Sequence, residues 1–313
     1  MKIAAVLVTY NRLDMLRECI SSLREQSQKI DEIIVVNNSS TDGTLGWLQN
    51  QNDITTITQE NSGSAGGQFT GIKYAYEKGY DWIWCLEDEI IAEKNCLNQL
   101  INFTRTIDYN ISAVSPIRVN NVDEISLGEI FKFYPKKLRH SKRYLRIKAK
   151  QFQNSSSFRI YSGTFEGLLI NSNIIAKVGL PNKDMFLWFD DVEYCVRLNK
   201  FAPIYILGEA IVRKQAELSL HNANNLTSIL IKELYGLRNL TFLEMNRNSD
   251  RIGDYIYKHL SIIFYLMRIL KFYLGNIKLF PYAGSQLIKI IYYPLLSLIN
   301  GYRGKLGKLD IKL

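Results

Sequence analysis

Three acids in a row, Glu87-Asp88-Glu89, end the apolar run Trp82-Ile83-Trp84-Cys85-Leu86. A strand that stops in clustered carboxylates has little structural logic, because three like charges repel one another and cost stability. A divalent cation turns that cost into binding: hard ions such as Mg²⁺ and Mn²⁺ take carboxylate oxygens and often hold substrate phosphates as well. The bland alternative is a solvated strand end. A second acidic pair, Asp190-Asp191, follows the aromatic stretch Met185-Phe186-Leu187-Trp188-Phe189 at what reads as a helix N-terminus, where the helix dipole favours negative charge. Asp190 could cap that helix, with Glu193 closing a capping box; the chemical alternative is a general base held ionised for proton abstraction. The segment Asn61-Ser62-Gly63-Ser64-Ala65-Gly66-Gly67 lacks the Gly-Lys-Ser/Thr ending of a P-loop and does not follow the dinucleotide pattern. Its small residues suit either a tight helix entry or the close approach of a helix N-terminus to a sugar or diphosphate.

The elements that must position these residues alternate in kind. Residues 3–9 form a β-branched and apolar run, and residues 12–26 place Leu13, Leu16, Ile20 and Leu23 at helical spacing. Residues 32–36 read as a second strand closed by turn chemistry from Asn37 to Gly43. Strands follow at 54–58, 82–86 and 111–118, with helices from the glycine-rich segment to about Lys78 and over 94–106. A further strand is expected over 165–170 and a short helix over 171–178, ending at Gly179-Leu180-Pro181. This order argues for a parallel sheet covered by helices on both faces. Ligands of such folds lie beyond the carboxyl ends of the strands. The polar loops Thr9-Tyr10-Asn11-Arg12, Asn37 to Asp42 and Glu87-Asp88-Glu89 all fall there.

With 313 residues, 47% hydrophobic and 22% charged, the chain can bury one large α/β domain plus an appendage. Of the net charge of +9, residues 251–313 supply +8, ten Lys or Arg against Asp254 and Asp310. From Lys132 to Lys150 a further nine Lys or Arg stand without an acid, which reads as a solvated loop or as a contact for something anionic. Residues 252–300 alternate apolar and aromatic stretches with cations, the composition of amphipathic helices on an anionic membrane or of helices packed on a protein surface. No apolar run reaches bilayer length, and the N-terminus does not read as a signal peptide. The four cysteines lack metal or disulfide spacing and read as buried thiols of a cytoplasmic protein. Acidic loops at the carboxyl edge argue against nucleic acid running through the sheet.

Taken in order, these residues resemble the family-2 glycosyltransferases, inverting enzymes of the GT-A fold, over roughly residues 1–245. Val6-Leu7-Val8-Thr9-Tyr10-Asn11-Arg12 is similar to that family's first strand and base loop, and Val35 to Thr44 to its second-strand motif, with Asn37 where an aspartate is usual. Glu87-Asp88-Glu89 stands at the Asp-x-Asp metal motif, with glutamate for aspartate at both ends, and Asp190-Asp191 at the acidic pair. Gly179-Leu180-Pro181, the aromatic stretch, and Asp190-Asp191-Val192-Glu193-Tyr194 with Arg197 narrow the similarity to bacterial galactofuranosyltransferases.

The resemblance implies a fold and a set of roles. The fold is α/β, a Rossmann-like and mostly parallel sheet flanked by helices. A nucleotide-binding half (1–118) and an acceptor half (119–245) precede a helical, basic-amphipathic extension (246–313). The donor is a UDP-sugar with its base near Thr9, Tyr10, Arg12 and Asn37, and with Asn61, Gly66, Gly67 and Asp88 lining the donor site. Mn²⁺ or Mg²⁺ sits on Glu87, Glu89 and His221. Asp191 is the base with Asp190 beside it, and Trp188, Phe189 and Glu193 meet the acceptor. That acceptor is a glycan or a polyprenyl-diphosphate-linked precursor at the inner face of a bacterial plasma membrane. The enzyme is peripheral there, without nucleic acid, and homo-oligomerisation is left open. Rhamnosyl, galactosyl and glucosyl transfer remain alternatives, as does a non-catalytic nucleotide-sugar-binding protein.

Overall fold

The computed structural model describes residues 1–107, 110–119, 157–215, 223–246, 252–276 and 283–311. Its first elements are β1 (Ile3–Thr9), α1 (Leu13–Arg24), β2 (Glu32–Asn37), α2 (Thr44–Gln49), β3 (Ile54–Thr58), α3 (Gly63–Glu77) and β4 (Trp82–Glu87). The alternation of β1 sorts its residues between two cores: Ala4 and Val6 pack with Ile34, Ile72 and Ile83, while Ile3, Ala5 and Leu7 pack with Leu16, Ile20 and Trp84. Both faces of β1 are therefore covered, and it is apolar from Ile3 to Val8 for that reason. Helix α1 buries Leu16, Cys19, Ile20 and Leu23, a single helical stripe. Helix α3 lies so close to β1 that a Cβ on Gly67 would strike Val8 and one on Gly71 would strike Val6, so only glycine fits at these two crossings.

The next elements are β5 (Ile90–Ala92), α4 (Cys96–Thr106), β6 (Ala113–Val119), β7 (Ser157–Ile160), β8 (Leu168–Asn171), α5 (Ser172–Val178), α6 (Asp190–Leu198) and β9 (Ile204–Lys214). Among the described residues the strands form one sheet in the order β3-β2-β1-β4-β8-β6-β9-β5, with β7 also on β9. The strands β3, β2, β1 and β4 are parallel. Beyond them the sheet is mixed: β8 runs antiparallel between β4 and β6, and β5 runs antiparallel to β9.

The chain divides into two compact units, residues 1–182 with 191–217, and residues 183–190 with 218–313. The second unit contains α7 (Ala223–Asn246), α8 (Ile252–Asn276) and α9 (Ala283–Tyr302), which share a core of Leu230, Leu234, Leu237, Ile262, Ile269, Tyr273 and Tyr293. The division expected at residue 245 falls at the end of α7, inside this unit, because α7 buries its apolar side against α8 and α9. Within the same unit, Gly301 of α9 crosses α7 where a Cβ would meet Arg238 and Thr241.

Candidate active site

The acidic cluster is built by strand register. Cys85 of β4 faces Leu168 of the antiparallel β8. Two residues further along β4, and two back from β8, Glu87 and Glu166 come opposite one another. Gly167 fixes this crossing: its N–H donates to Cys85 O at 2.8 Å, its carbonyl accepts from Trp84 Nε1 at 2.9 Å, and its φ of +110° excludes most side chains. One oxygen each of Glu87, Glu89 and Glu166 lies within 4.8 Å of the others. Strand β5 then pairs Ile90 with Lys214 of β9, which brings that ammonium beside Glu89.

Three cations answer these carboxylates and Asp88. Arg12 Nη1 lies 3.0 Å from Asp88 Oδ1 and 2.9 Å from Glu89 Oε2. Lys214 Nζ bridges Glu89 Oε1 at 2.6 Å and Glu166 Oε1 at 2.9 Å, and Arg118 pairs with the other Glu166 oxygen. Asp88 is buried and also accepts from Thr9 Oγ1 at 2.8 Å. Burial pushes its carboxyl above the ordinary carboxylate range; Arg12 and the Thr9 hydroxyl oppose that rise without cancelling it. For Arg12, burial alone would lower the guanidinium pKa, but Asp88 and then Glu89 outweigh it and the net direction is upward.

The loops beside the cluster are stitched together. Asn11 N–H donates to Ser40 Oγ at 3.0 Å, Thr41 N–H to Asn11 Oδ1 at 2.7 Å, and Leu13 N–H to Asp42 Oδ2 at 3.0 Å. Asp42 thereby satisfies a free N–H of α1 that Arg12 does not cap. Asn37 is fully buried; its Oδ1 accepts from Ser40 N–H at 3.0 Å, while its Nδ2 finds no partner among the described residues. An orphaned buried donor is rare and invites a ligand acceptor. Tyr10 stands exposed at the end of β1. Asn61 Oδ1 accepts from Gly63 N–H at 3.0 Å, shaping the entry to α3. A Cβ on Gly66 would collide with Ser62; Gly66 and Gly67 are thus both required by packing.

At the start of α6, Asp190 is buried and Asp191 Oδ1 accepts from the Val192 N–H at 2.6 Å. Glu193 was expected to meet an acceptor or to close a capping box. Instead both of its oxygens are taken by Arg197, at 2.6 and 2.8 Å, and Arg197 also donates to the carbonyls of Val178 and Leu180. That network ties α6 to the C-terminal end of α5. Phe189, expected with Trp188 to form an apolar platform for a sugar face, is buried, with its ring edge-on to Tyr265 at 6.1 Å. Trp188 is only half-buried.

Residues 4–165 match the family model described as "Glycosyl transferase family 2". The chain belongs to that family. Among curated relatives, the galactofuranosyltransferase GlfT1 of Mycolicibacterium smegmatis (strain ATCC 700084 / mc(2)155) is 28% identical over 202 residues, covering 63% of this chain and 65% of that protein. GlfT1 of Mycobacterium tuberculosis (strain ATCC 25618 / H37Rv) is 29% identical over 202 residues, 62% and 63% of the two chains. The match thus spans somewhat under two thirds of these relatives' own lengths. Poly-beta-1,6-N-acetyl-D-glucosamine synthase of Staphylococcus aureus (strain MSSA476) is 29% identical over 133 residues, 41% of this chain and 31% of that one. Among solved structures, mannosyltransferase PcManGT from Pyrobaculum calidifontis, in complex with GDP-Man and Mn²⁺, superimposes with a TM-score of 0.54 at 14% identity, covering 97% of this chain and 86% of that one. GalNAc-T7 with UDP, GalNAc and Mn²⁺ gives 0.52 at 13% identity, covering 84% and 54%. At these identities the likeness establishes the glycosyltransferase fold.

Within that family frame, sequence reading found Glu87, Asp88, Glu89, Thr9 and Arg12, and the structure brings all five together. Thr9 and Arg12, expected beside the base, are engaged with Asp88. His221 lies outside the described residues, as does the basic stretch 132–150. Glu166, Arg118 and Lys214 were missed: each is isolated in sequence, and only the antiparallel strands bring them to Glu87-Asp88-Glu89. The donor set of Glu87, Glu89 and Glu166 is all carboxylate oxygen, the chemistry that Mg²⁺ and Mn²⁺ take. Both oxygens of Glu89 already meet cations (Arg12 and Lys214), as do both of Glu166 (Lys214 and Arg118), so an ion at the cluster would share these oxygens with the cations or displace them.

Proposed function

We propose that this chain is an inverting, metal-dependent glycosyltransferase that moves a sugar from a UDP-sugar to a hydroxyl of a bacterial surface glycan or its lipid-linked precursor. Galactofuranose is the preferred sugar, on the strength of the GlfT1 relatives and the motifs around Asp190-Asp191. The observation that carries the reading is the gathering of Glu87, Glu89 and Glu166 at the carboxyl edge of β4, next to the loops that hold Asn37 and Tyr10.

Asn37 Nδ2 donates to a carbonyl of the base, and exposed Tyr10 offers a ring face to it. Glu87, Glu89 and Glu166 hold Mn²⁺ or Mg²⁺, with His221 as a further ligand; when bound, the ion offsets charge on the diphosphate. Arg12 bridges Asp88 and Glu89, and Lys214 bridges Glu89 and Glu166, so these cations offset the mutual repulsion of the carboxylates and hold them in place. Asp191, at a helix N-terminus that favours negative charge and with Oδ1 accepting the Val192 N–H, takes the proton of the acceptor hydroxyl. The freed oxygen pair forms the new bond at the anomeric carbon as the bond to UDP breaks, and UDP leaves with that bond's electrons. A single displacement inverts the centre. Trp188 offers a ring face to the acceptor sugar.

The helical unit supports a site of work at a membrane surface. No helix among the described residues is long and apolar enough to cross a membrane. Yet Ile256, Leu260, Ile263, Phe264, Met267 and Leu274 are exposed along one face of α8, with Arg268 and Lys271 between them. From Tyr255 to Leu309 the chain has no acid. Apolar side chains interspersed with Lys271 and with Arg268, which pairs with Glu233, fit the anionic inner leaflet, where lipid-linked acceptors are presented.

The test is UDP release from a panel of nucleotide sugars, UDP-galactofuranose included, with Mn²⁺, Mg²⁺ or EDTA. Metal-dependent release from one donor supports the reading and selects the sugar. UDP binding without release from any donor, even with lipid-linked acceptors present, would instead favour a nucleotide-sugar-binding protein.

A further inference from the structure

Residues 185–189 have a backbone that their sequence alone does not explain. Phe186, Trp188 and Phe189 have φ of +62°, +65° and +66°, three aromatic residues in the left-handed region that favours glycine. Such a run persists only where its surroundings over-determine it. Here the surroundings are one turn of α7, in the same compact unit. Asn239 Nδ2 donates to the carbonyls of Met185 at 2.9 Å, Leu187 at 2.9 Å and Trp188 at 2.7 Å. Arg238 Nη2 donates to the Met185 carbonyl at 2.6 Å, and its Nη1 to the Gly307 carbonyl. Arg238 Nε donates to Asn239 Oδ1 at 2.8 Å, which turns the Asn239 NH₂ toward the three carbonyls. Tyr235 stacks on Phe186 at 4.9 Å, and Gly236 leaves room for Trp188, since a Cβ there would press on it and on Tyr265.

Arg238 and Asn239 are both fully buried. A guanidinium with no exposure, answered in these bonds by carbonyls and an amide, is costly to keep. Burial lowers its pKa to about 10. A merely apolar helix contact would need neither residue. What the pair fixes is the chain that runs directly into α6, whose first two residues are Asp190 and Asp191.

We propose that Arg238 and Asn239 are positioning residues for the acidic pair: they hold the left-handed 185–189 segment that leads directly into Asp190 and Asp191. This rests on the reading of Asp191 given above. The pair acts on the catalytic step and not on donor binding.

The experiment compares Asn239→Ala and the milder Asn239→Ser with the intact chain, in wild-type and Asp191→Asn backgrounds. Leu234→Ala serves as a control that loosens the helical core without touching the segment. Each is read by thermal melting, by Mn²⁺–UDP affinity, by kcat and donor KM over pH for the donor that the wild type turns over, and by ¹⁹F NMR of 5-fluorotryptophan protein. Of the four tryptophan lines, that of Trp188 is assigned with Trp188→Phe. The expected result for Asn239→Ala is a Trp188 line that moves alone, UDP affinity and KM within threefold, and kcat down about 100-fold with its acid limb shifted. Asn239→Ser should fall between it and the wild type, and Leu234→Ala should melt lower with kcat near normal. Combined with Asp191→Asn, Asn239→Ala should add little further loss. Unchanged kcat in either folded Asn239 variant overturns the proposal, as does an equal kcat loss in Leu234→Ala. Normal turnover in Asp191→Asn alone strikes the base assignment instead, and an Asn239→Ala loss that persists there shows the pair acting through some other group, which also overturns it.

Discussion

Glu166→Gln keeps the shape of the side chain and removes its charge, so it separates two forces that act on the cluster with opposite sign. At an effective dielectric of about 20, unit charges 4.8 Å apart repel by about 3.5 kcal/mol. The oxygens lie within that distance, so neutralising Glu166 relieves at least about 3.5 kcal/mol against each of Glu87 and Glu89 on this scale. On the same scale the 2.9 Å pairing with Lys214 is worth about 5.7 kcal/mol, and Arg118 makes a second pairing of comparable size. The attractions act over shorter distances, so their loss wins. Solvent at the half-buried Lys214 end shrinks the difference, and a net destabilisation of about 1–4 kcal/mol is expected, mostly below the roughly 3–5 kcal/mol lost when one partner of a fully buried pair is removed. For a chain of 313 residues that corresponds to a fall in melting temperature of roughly 2–6 °C in EDTA. If Glu166 is also a ligand, Mn²⁺ affinity should fall at least about tenfold, a further ~1.4 kcal/mol lost only when metal is present. Melting with and without Mn²⁺, together with a direct Mn²⁺ titration, resolves the two effects. Lower stability with wild-type Mn²⁺ affinity would make Glu166 a structural partner of Arg118 and Lys214 only. Higher stability in EDTA would mean that repulsion dominates and the weighting above is wrong.

Asp191→Asn should keep the fold and UDP binding while lowering turnover by about 10²–10⁴-fold, the usual size of a lost general base; normal kcat would reject the assignment. Gly67→Ala places a Cβ against Val8 at the α3–β1 crossing and should destabilise by about 1–3 kcal/mol in urea unfolding. An unchanged midpoint would mean the helix is free to shift. All four thiols are buried, and burial raises each thiol pKa, so the neutral form prevails at pH 8. A disulfide reagent should therefore titrate less than one thiol in the native chain and four in denaturant. Phe264→Glu with Met267→Glu should abolish sedimentation with anionic phosphatidylglycerol vesicles and leave UDP affinity intact; equal sedimentation would discount the α8 face as the lipid contact.

The strands β1 to β4 and helices α1, α3 and α4 were legible because their signals are local. Leu16, Ile20 and Leu23 repeat at helical spacing, the strands are apolar runs, and Asn37 to Gly43 and Gly63 punctuate them. Parallel packing with both faces covered follows from that alternation, and so does the gathering of Thr9, Arg12, Asn37 and Glu87-Asp88-Glu89 at one edge. Their carboxylates invite a cation by Coulomb's law alone. What sequence could not determine is which distant side chains answer that charge. Glu166, Arg118 and Lys214 reach it through the register of β8, β6 and β9, and register is set by non-local pairing that no local period encodes. The same holds for the acidic pair. Sequence marked Asp190-Asp191 by type, but the left-handed approach through Phe186, Trp188 and Phe189 runs against their own backbone preference. The buried donors of Arg238 and Asn239, some fifty residues further along the chain, meet the carbonyls of that conformation, and no local signal in the sequence announces them.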